Sequence, residues 1–301
     1  MKIEIDSKAG FCHGVVNAIH TAEICLKKRG KDETIYCLGD IVHNKTEVER
    51  LKSLGLVTIN YEEFENLSNC KVIVRAHGEP PSTFFSAKER EITIIDATCP
   101  IVGKLQREIK ACIMNQVKGL SEIIIVGKKG HPEVLGLLGQ IDNNAIVISS
   151  VEDVKNNFFK QNITIFSQTT MDKTQYAEII KEIVLRAECR KINITNSICK
   201  HVLKRKDSIQ AFAQQHQIVL FVSSSNSSNG MYLFNICKEA NQYTYLLNSS
   251  TEVSNTLNIA QIKFAGKINS IGISGATSTP MWLMKEVAHT VNLFYLNNNK
   301  N

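Results

Sequence analysis

Short apolar runs rich in β-branched residues recur along the chain, separated by longer stretches with helical spacing. The clearest runs are Thr34–Leu38, Lys71–Val74, Glu122–Val126, Ile163–Phe166, Ile218–Val222 and Ser270–Ile273. Each is nearly uninterrupted by polar residues, the pattern of strands covered on both faces. A further apolar run, Ile92–Ile95, ends just before Cys99. Between the runs, segments such as Val15–Lys28, Gln175–Arg186 and Met231–Ala240 repeat apolar positions every three to four residues, as amphipathic helices do. Regular strand–helix alternation predicts an α/β chain built on parallel sheets.

The residues that follow the six clearest runs are small, polar or imidazole-bearing. They read I41-V-H43-N, R75-A-H77-G, G130-H131-P-E133, S167-Q-T169-T, S227-S-N229 and A276-T-S278-T-P. In an open α/β sheet, ligands bind beyond the carboxyl ends of the strands, so these tips are candidate site positions. Spacing adds an internal repeat. Cys12, Cys99 and Cys199 stand 31, 32 and 28 residues before His43, His131 and Ser227, and a second polar tip (His77, Thr169, Ser278) follows each time. The chain therefore reads as three units, at 14–98, 99–195, and 196–301 together with 1–13.

Composition narrows the function classes. With 43% hydrophobic and 21% charged residues, the chain is globular, and no apolar run reaches membrane-spanning length. A net charge of +6 suits an anionic small molecule. The tightest basic cluster, Lys204-Arg205-Lys206, reads as a solvated helix face rather than a nucleic-acid patch. The N-terminal stretch M-K-I-E-I-D-S-K carries acids where a secretion signal needs an apolar core, which predicts a cytoplasmic chain in a reducing compartment. The nine cysteines are then expected as thiols. Six of them, Cys25, Cys37, Cys70, Cys112, Cys189 and Cys237, lie in or beside helical and strand patterns and are assigned to packing.

Cys12, Cys99 and Cys199 differ, because each opens a helix-like stretch at a matched place in its unit. A helix N-terminus favours a thiolate, and three thiolates brought together need a cation between them. A [4Fe–4S] cluster with one open iron meets that need, and so does zinc with a water. Glu133 follows Pro132 at a predicted helix start. In a dry pocket, its carboxyl would stay protonated long enough to act as an acid. The serine run at Ser227 to Asn229 is first a helix cap and also an anion cradle. Both the Walker A lysine pattern and G-x-G-x-x-G are absent, so a compact polyanion such as a diphosphate is favoured over a nucleotide.

These motifs together resemble the 4-hydroxy-3-methylbut-2-enyl diphosphate reductase family, which closes the methylerythritol phosphate route to isoprenoids. The resemblance rests on A9-G-F-C-H-G-V15, I41-V-H-N44, A76-H-G78, the DATCP run from Asp96 to Pro100, G130-H-P-E-V134, S167-Q-T-T170, S197-I-C199, N226-S-S-N229 and the ATSTP run from Ala276 to Pro280, in that order. It implies a cloverleaf of three pseudo-symmetric α/β units with small parallel sheets around a central cavity. It implies a [4Fe–4S] cluster on Cys12, Cys99 and Cys199, with a fourth iron open to the substrate alcohol. His43, His77, Ser227, Asn229 and Ser278 match the groups that grip the diphosphate, with Ser228 nearby and His131 lining the cavity. Glu133 matches the proton source, and Thr169 the hydroxyl that links it to the substrate. Electrons would come from a ferredoxin or a flavodoxin.

The chain departs from the family pattern after the third cysteine. His201 and Val202 stand where Ala-Thr is usual, and Lys206 where Gln is usual. Pro280 sets the register that assigns Ser278. Zinc-dependent chemistry and a non-enzymatic iron–sulfur sensor are the competing classes. The Glu133–Thr169 pair and the diphosphate cradle favour catalysis, since a sensor needs neither.

Overall fold

The computed structural model describes residues 1–114, 121–159, 162–187, 191–264 and 267–298. The chain opens with β1 (Lys2–Ile5) and α1 (His13–Lys28). It continues through β2 (Ile35–Leu38), α2 (Lys45–Ser53), β3 (Leu56–Ile59), α3 (Tyr61–Glu65), β4 (Lys71–Val74), α4 (Pro81–Glu89), β5 (Thr93–Asp96) and α5 (Pro100–Met114). A second run holds β6 (Ser121–Val126), α6 (Pro132–Gly139), β7 (Ile146–Ile148), α7 (Val151–Lys155), β8 (Asn162–Ser167), α8 (Lys173–Arg186), β9 (Lys191–Ile194) and α9 (Lys200–Gln214). The last run holds β10 (Ile218–Val222), α10 (Ser228–Ala240), β11 (Thr244–Leu247), α11 (Val253–Lys263), β12 (Ser270–Gly275) and α12 (Met281–Asn298).

These strands form three four-stranded parallel sheets, ordered β3-β2-β4-β5, β7-β6-β8-β9 and β11-β10-β12-β1. The α/β class and the small parallel sheets match the sequence expectation. In the first two sheets the chain steps outward from one central strand, then crosses back and proceeds the other way; in the third it steps from β10 out to β11 and back to β12, and β1 from the chain's start supplies the strand beyond. The order therefore reverses between the two central strands, which is where α/β sheets open a crevice at their carboxyl ends. Paired residues place those ends level: Leu38 beside Val74, Val126 beside Ser167, and Val222 beside Gly275. The polar tips of the sequence pattern all follow these central strands.

Two compact units contain the sheets. One comprises residues 1–16, 42–50 and those from 200 onward, and holds the sheet of β10, β11, β12 and β1. The other comprises residues 17–41 and 51–199 and holds the remaining two sheets.

β10 shows why the central strands are apolar throughout. Ile218, Leu220 and Val222 pack on one face with Leu257, Leu283 and Val287, while Val219 and Phe221 pack on the other with Ile209, Leu233 and Ile236. All five β10 side chains are fully buried, each contributing about 1.5–3 kcal/mol of transfer free energy. The sheet of β6–β9 is covered by Leu105 and Ile109 of α5 and by Val134 and Leu137 of α6. The sheet of β2–β5 packs Leu38 and Val72 against Phe64 and Ala87.

The basic cluster at Lys204-Arg205-Lys206 is only partly a solvated face. Arg205 turns inward, and its Nη2 lies 2.6 Å from Asp6 Oδ2 and 2.8 Å from Ser274 Oγ. The arginine pins α9 to the end of β1 and to β12. Helical position decides this, since Arg205 lies on the same stripe as Val202 and Ile209, which are buried.

Candidate functional site

Each of the three candidate cysteines directly follows the loop that leaves an edge strand: Cys12 after β1, Cys99 after β5 and Cys199 after β9. Each stands immediately before a helix (α1, α5 and α9). The carbonyls of Cys12 and Cys99 accept the first helical bonds, from Val16 and Gly103, at 2.9 Å each. Local chemistry sets these entries. Asp96 Oδ1 accepts the Thr98 amide at 2.9 Å, which turns the chain out of β5 toward Cys99. Ser197 Oγ accepts the Ser167 amide at 2.6 Å and donates to the Ser167 carbonyl at 2.9 Å, fastening the S-I-C segment to the end of β8.

The cysteine amides share one arrangement. Cys99 donates to the Ala76 carbonyl at 3.0 Å, Cys199 to the Thr169 carbonyl at 2.8 Å, and Cys12 to the Thr277 carbonyl at 3.2 Å. Each acceptor lies in the polar tip that follows a central strand of the same sheet (β4, β8 and β12). Each cysteine is thus tied by its backbone to a loop that carries candidate substrate groups. The three thiols are partly exposed, and no disulfide forms among the described cysteines. His13 and His201, which flank Cys12 and Cys199 in sequence, have ring centroids 6.0 Å apart in an edge-to-face contact. Val202 is buried.

The cysteines assigned to packing divide by burial. Cys37 and Cys237 are fully buried, and burial pushes their thiols up to about 12 and about 11. Burial also raises the thiols of Cys25 and Cys70. Cys112 is half-buried against the cluster between α5 and the β6–β9 sheet, and Cys189 lies outside the described residues.

At the β6 and β8 tips, the G-H-P-E stretch forms the start of α6. His131 is the N-cap, and its Nδ1 accepts the Glu133 amide at 3.2 Å, which leaves the ring proton on Nε2. Its ring meets that of His77 edge-on, with centroids 5.4 Å apart. The His77 tip needs its neighbouring glycine. Gly78 sits at φ +70°, and a Cβ there would fall 2.6 Å from Gln106 Nε2. Glu133 is buried, its Oε1 accepting the Thr169 amide at 2.6 Å and its Oε2 the Thr169 hydroxyl at 2.9 Å. Burial raises its carboxyl to about 7, against the pull of these two bonds.

Two other buried glutamates show what is distinctive about Glu133. Glu47 is bound by Arg50, and Glu79 lies beside Arg75 and accepts the Tyr61 hydroxyl. Burial raises the Glu79 carboxyl as well, with Tyr61 and Arg75 opposing it. Glu133 has neutral partners in the Thr169 amide and hydroxyl, so its charged form meets no counter-ion there. No strand tip or motif of the sequence marks Glu47 or the Arg75–Glu79 pair as a site. The N44-K-T-E47 capping pattern was the available signal for the first, and Asn44 Oδ1 does accept the Glu47 amide at 3.0 Å.

At the β10 and β12 tips, Ser227 caps α10, accepting the Gly230 amide at 3.0 Å. Its hydroxyl lies 3.2 Å from that of Ser278. Asn229 Nδ2 donates to Thr277 Oγ1 at 2.6 Å, and its buried Oδ1 has no hydrogen-bond partner among the described residues. Reversing that amide lets the Thr277 hydroxyl donate to oxygen and turns the NH2 group to the position where Oδ1 lies unpartnered. Ser228 is half-buried in the first turn of α10. The serine run is therefore a cap, as expected, with two further hydroxyls and an amide gathered at one helix start.

Comparison with known proteins decides the family. The family model described as LytB protein matches residues 3–292. The chain belongs to the LytB protein family. A relative from Bacteroides fragilis, 4-hydroxy-3-methylbut-2-enyl diphosphate reductase, is 45% identical over 295 residues, covering 97% of each chain. A relative of the same name from Porphyromonas gingivalis is 45% identical over 290 residues, covering 95% of this chain and 96% of its own. Among solved structures, (E)-4-hydroxy-3-methyl-but-2-enyl diphosphate reductase, the terminal enzyme of the non-mevalonate pathway, aligns with a TM-score of 0.70 at 31% identity, covering 97% of this chain and all of its own. The Plasmodium falciparum E-1-hydroxy-2-methyl-but-2-enyl-4-diphosphate reductase aligns with a TM-score of 0.79 at 27% identity, covering 97% of this chain and 87% of its own. Among the described residues of this LytB chain, no helix is long and apolar enough to cross a membrane.

Proposed function

We propose that this enzyme reduces 4-hydroxy-3-methylbut-2-enyl diphosphate to isopentenyl diphosphate and dimethylallyl diphosphate. The carbon–oxygen bond to the terminal hydroxyl breaks. Two electrons and two protons enter, one proton leaving with the hydroxyl as water and the other ending on an allylic carbon. Names shared with relatives at 45% identity over nearly the whole chain support this reading. The observation that carries it is the Glu133–Thr169 pair. A buried carboxyl, raised to about 7 and without a counter-ion among the described residues, is bonded to the very residue whose carbonyl takes the Cys199 amide.

A [4Fe–4S] cluster suits the donor set: three thiols free of disulfides, each at the start of a helix and each tied to a substrate-side loop. Cys12, Cys99 and Cys199 would hold it. When bound, the cluster supplies electrons one at a time and an iron that polarises the substrate alcohol. Zinc on the same thiols would leave the reaction without its two electrons.

The chain's own residues do the rest. Ser227 and Ser278 present two hydroxyls, and the start of α10 presents the positive end of its helix, to the diphosphate. Asn229, His43 and His77 complete the grip, with Ser228 alongside and His131 lining the pocket. Holding the diphosphate fixes the distance from its far end to the alcohol, an orientation effect. The Thr169 hydroxyl, now donating to Glu133, can turn toward the substrate alcohol and pass the Glu133 proton to it. Loss of the proton leaves a carboxylate whose charge the Thr169 amide still stabilises at 2.6 Å. Electrons would arrive from a ferredoxin or flavodoxin in the cytoplasm.

The test is anaerobic turnover of the hydroxylated diphosphate with a chemical reductant, reading both products. Brown protein carrying iron and sulfide that forms both diphosphates is expected. Colourless protein holding zinc, or a cluster-bearing protein without turnover, would replace the reductase with the zinc or sensor class.

A further inference from the structure

We propose that Glu47 is a positioning residue of the diphosphate subsite, tying the loop that carries His43 to the loop that carries Ser278. The idea rests on the reading that those two residues grip the diphosphate. Asn44 follows His43 directly and caps α2 by accepting the Glu47 amide at 3.0 Å. The Glu47 side chain, only 1% exposed, then reaches across 235 residues of sequence. Its Oε2 accepts the Trp282 Nε1 proton at 2.8 Å. Arg50 holds the same carboxylate in a fork, with Nε at 2.9 Å from Oε2 and Nη2 at 2.6 Å from Oε1. Trp282 is the second residue of α12, four after Ser278, with Pro280 stiffening the link.

The physical case is one of cost and geometry. An Arg50–Glu47 pair three residues apart on an exposed helix would satisfy itself in water and contribute little. Burial of Glu47, with Arg50 still partly in solvent, makes its charge expensive, and the expense is offset only by good geometry and further hydrogen bonds. The further bond comes from the indole. It fixes the start of α12 relative to the start of α2, and each start lies within four residues of a proposed diphosphate ligand. A planar fork on one side and a rigid indole on the other leave the carboxylate little rotational freedom.

The experiment uses cluster-loaded protein under anaerobic conditions, with inorganic diphosphate as the calorimetric probe and steady-state kinetics on the hydroxylated diphosphate. Glu47→Ala is expected to weaken inorganic diphosphate binding and raise KM by about tenfold, with kcat at saturation within about twofold of wild type and iron content unchanged. Glu47→Gln, whose amide oxygen still accepts from the indole, should recover most of the lost affinity. Trp282→Phe should weaken binding in the same direction, and adding it to Glu47→Ala should cost nothing more. Trp282→Phe keeps the Arg50 pair intact and decides the matter alone if Glu47→Ala does not fold. Unchanged binding in these variants, a kcat loss as large as the affinity loss, or additive effects in the double variant overturn the strap. Wild-type protein that does not bind inorganic diphosphate overturns the diphosphate reading itself, and the strap with it.

Discussion

Glu133→Gln isolates the acid on which the chemistry depends. The side chain is buried, and its carboxyl is raised from an ordinary 4.5 to about 7 by burial. A displacement of that size corresponds to roughly 3 kcal/mol of preference for the protonated form. In the unfolded chain the group ionises near 4.5, so between the two values the folded protein holds a proton that the unfolded chain has lost. The resulting stability is fully present below the unfolded value and is lost as pH rises through about 7. Glutamine has the same shape, and its oxygen can still accept the Thr169 amide, but it neither titrates nor donates an acidic proton.

Three outcomes follow. Relative to wild type, the thermal midpoint of Glu133→Gln should climb as pH rises from about 5 to about 8.5, because only the wild type then carries a buried carboxylate. Its kcat should fall by about 10²–10⁴, the usual worth of a positioned general acid, while substrate still binds. Wild-type kcat/KM should decline above about pH 7 as the proton is lost. Anaerobic turnover with a chemical reductant, measured across that pH range beside thermal scans, checks all three. A variant with full kcat, or a wild-type rate flat across the range, would refute Glu133 as the proton source.

Thr169→Val removes a hydroxyl that donates to Glu133 at 2.9 Å and stabilises its carboxylate. The alkaline limb of kcat/KM should move to higher pH, and kcat should fall by about tenfold or more as the relay is broken; an unmoved limb counts against the pair. Cys99→Ser should lose iron and sulfide, whereas Cys112→Ser should keep both near wild-type content; metal analysis of anaerobically purified protein separates them. Arg205→Ala leaves Asp6 buried without its cation and should cost about 3–5 kcal/mol, read as a lowered thermal midpoint.

The central strands were legible in the sequence because they are covered twice. β2, β4, β6, β8, β10 and β12 each have strand neighbours on both sides and bury most side chains of both faces, so nearly every side chain had to be apolar. The polar tips stood out for the complementary reason, since a strand's carboxyl end is where that requirement stops. The edge strands carried no such mark. β3 reads buried-exposed-exposed-buried, and β9 is mostly exposed. Their membership in a sheet depends on backbone pairing with a neighbour, which side-chain pattern does not encode. β5 alone showed through, as the run that ends before Cys99.

Spacing alone matched the three cysteines, but only the tertiary structure shows what is equivalent about them. Each follows the edge strand beside β12, β4 or β8, and each donates its amide to the tip of that neighbour. The first and last parts of the chain join in one sheet because β1 pairs with β12, a contact between residues 2–5 and 270–273. Packing also decided which charges face inward. Arg205, Glu47 and Glu79 look like any other charged residues in the sequence, and Glu133 is marked there only by its place after Pro132 at a strand tip. What separates them is the partner that burial imposes: a carboxylate for Arg205, arginines for Glu47 and Glu79, and for Glu133 only a threonine. A chain pattern can mark where a site opens, but the free energy of a buried charge is set by neighbours that the fold brings from elsewhere.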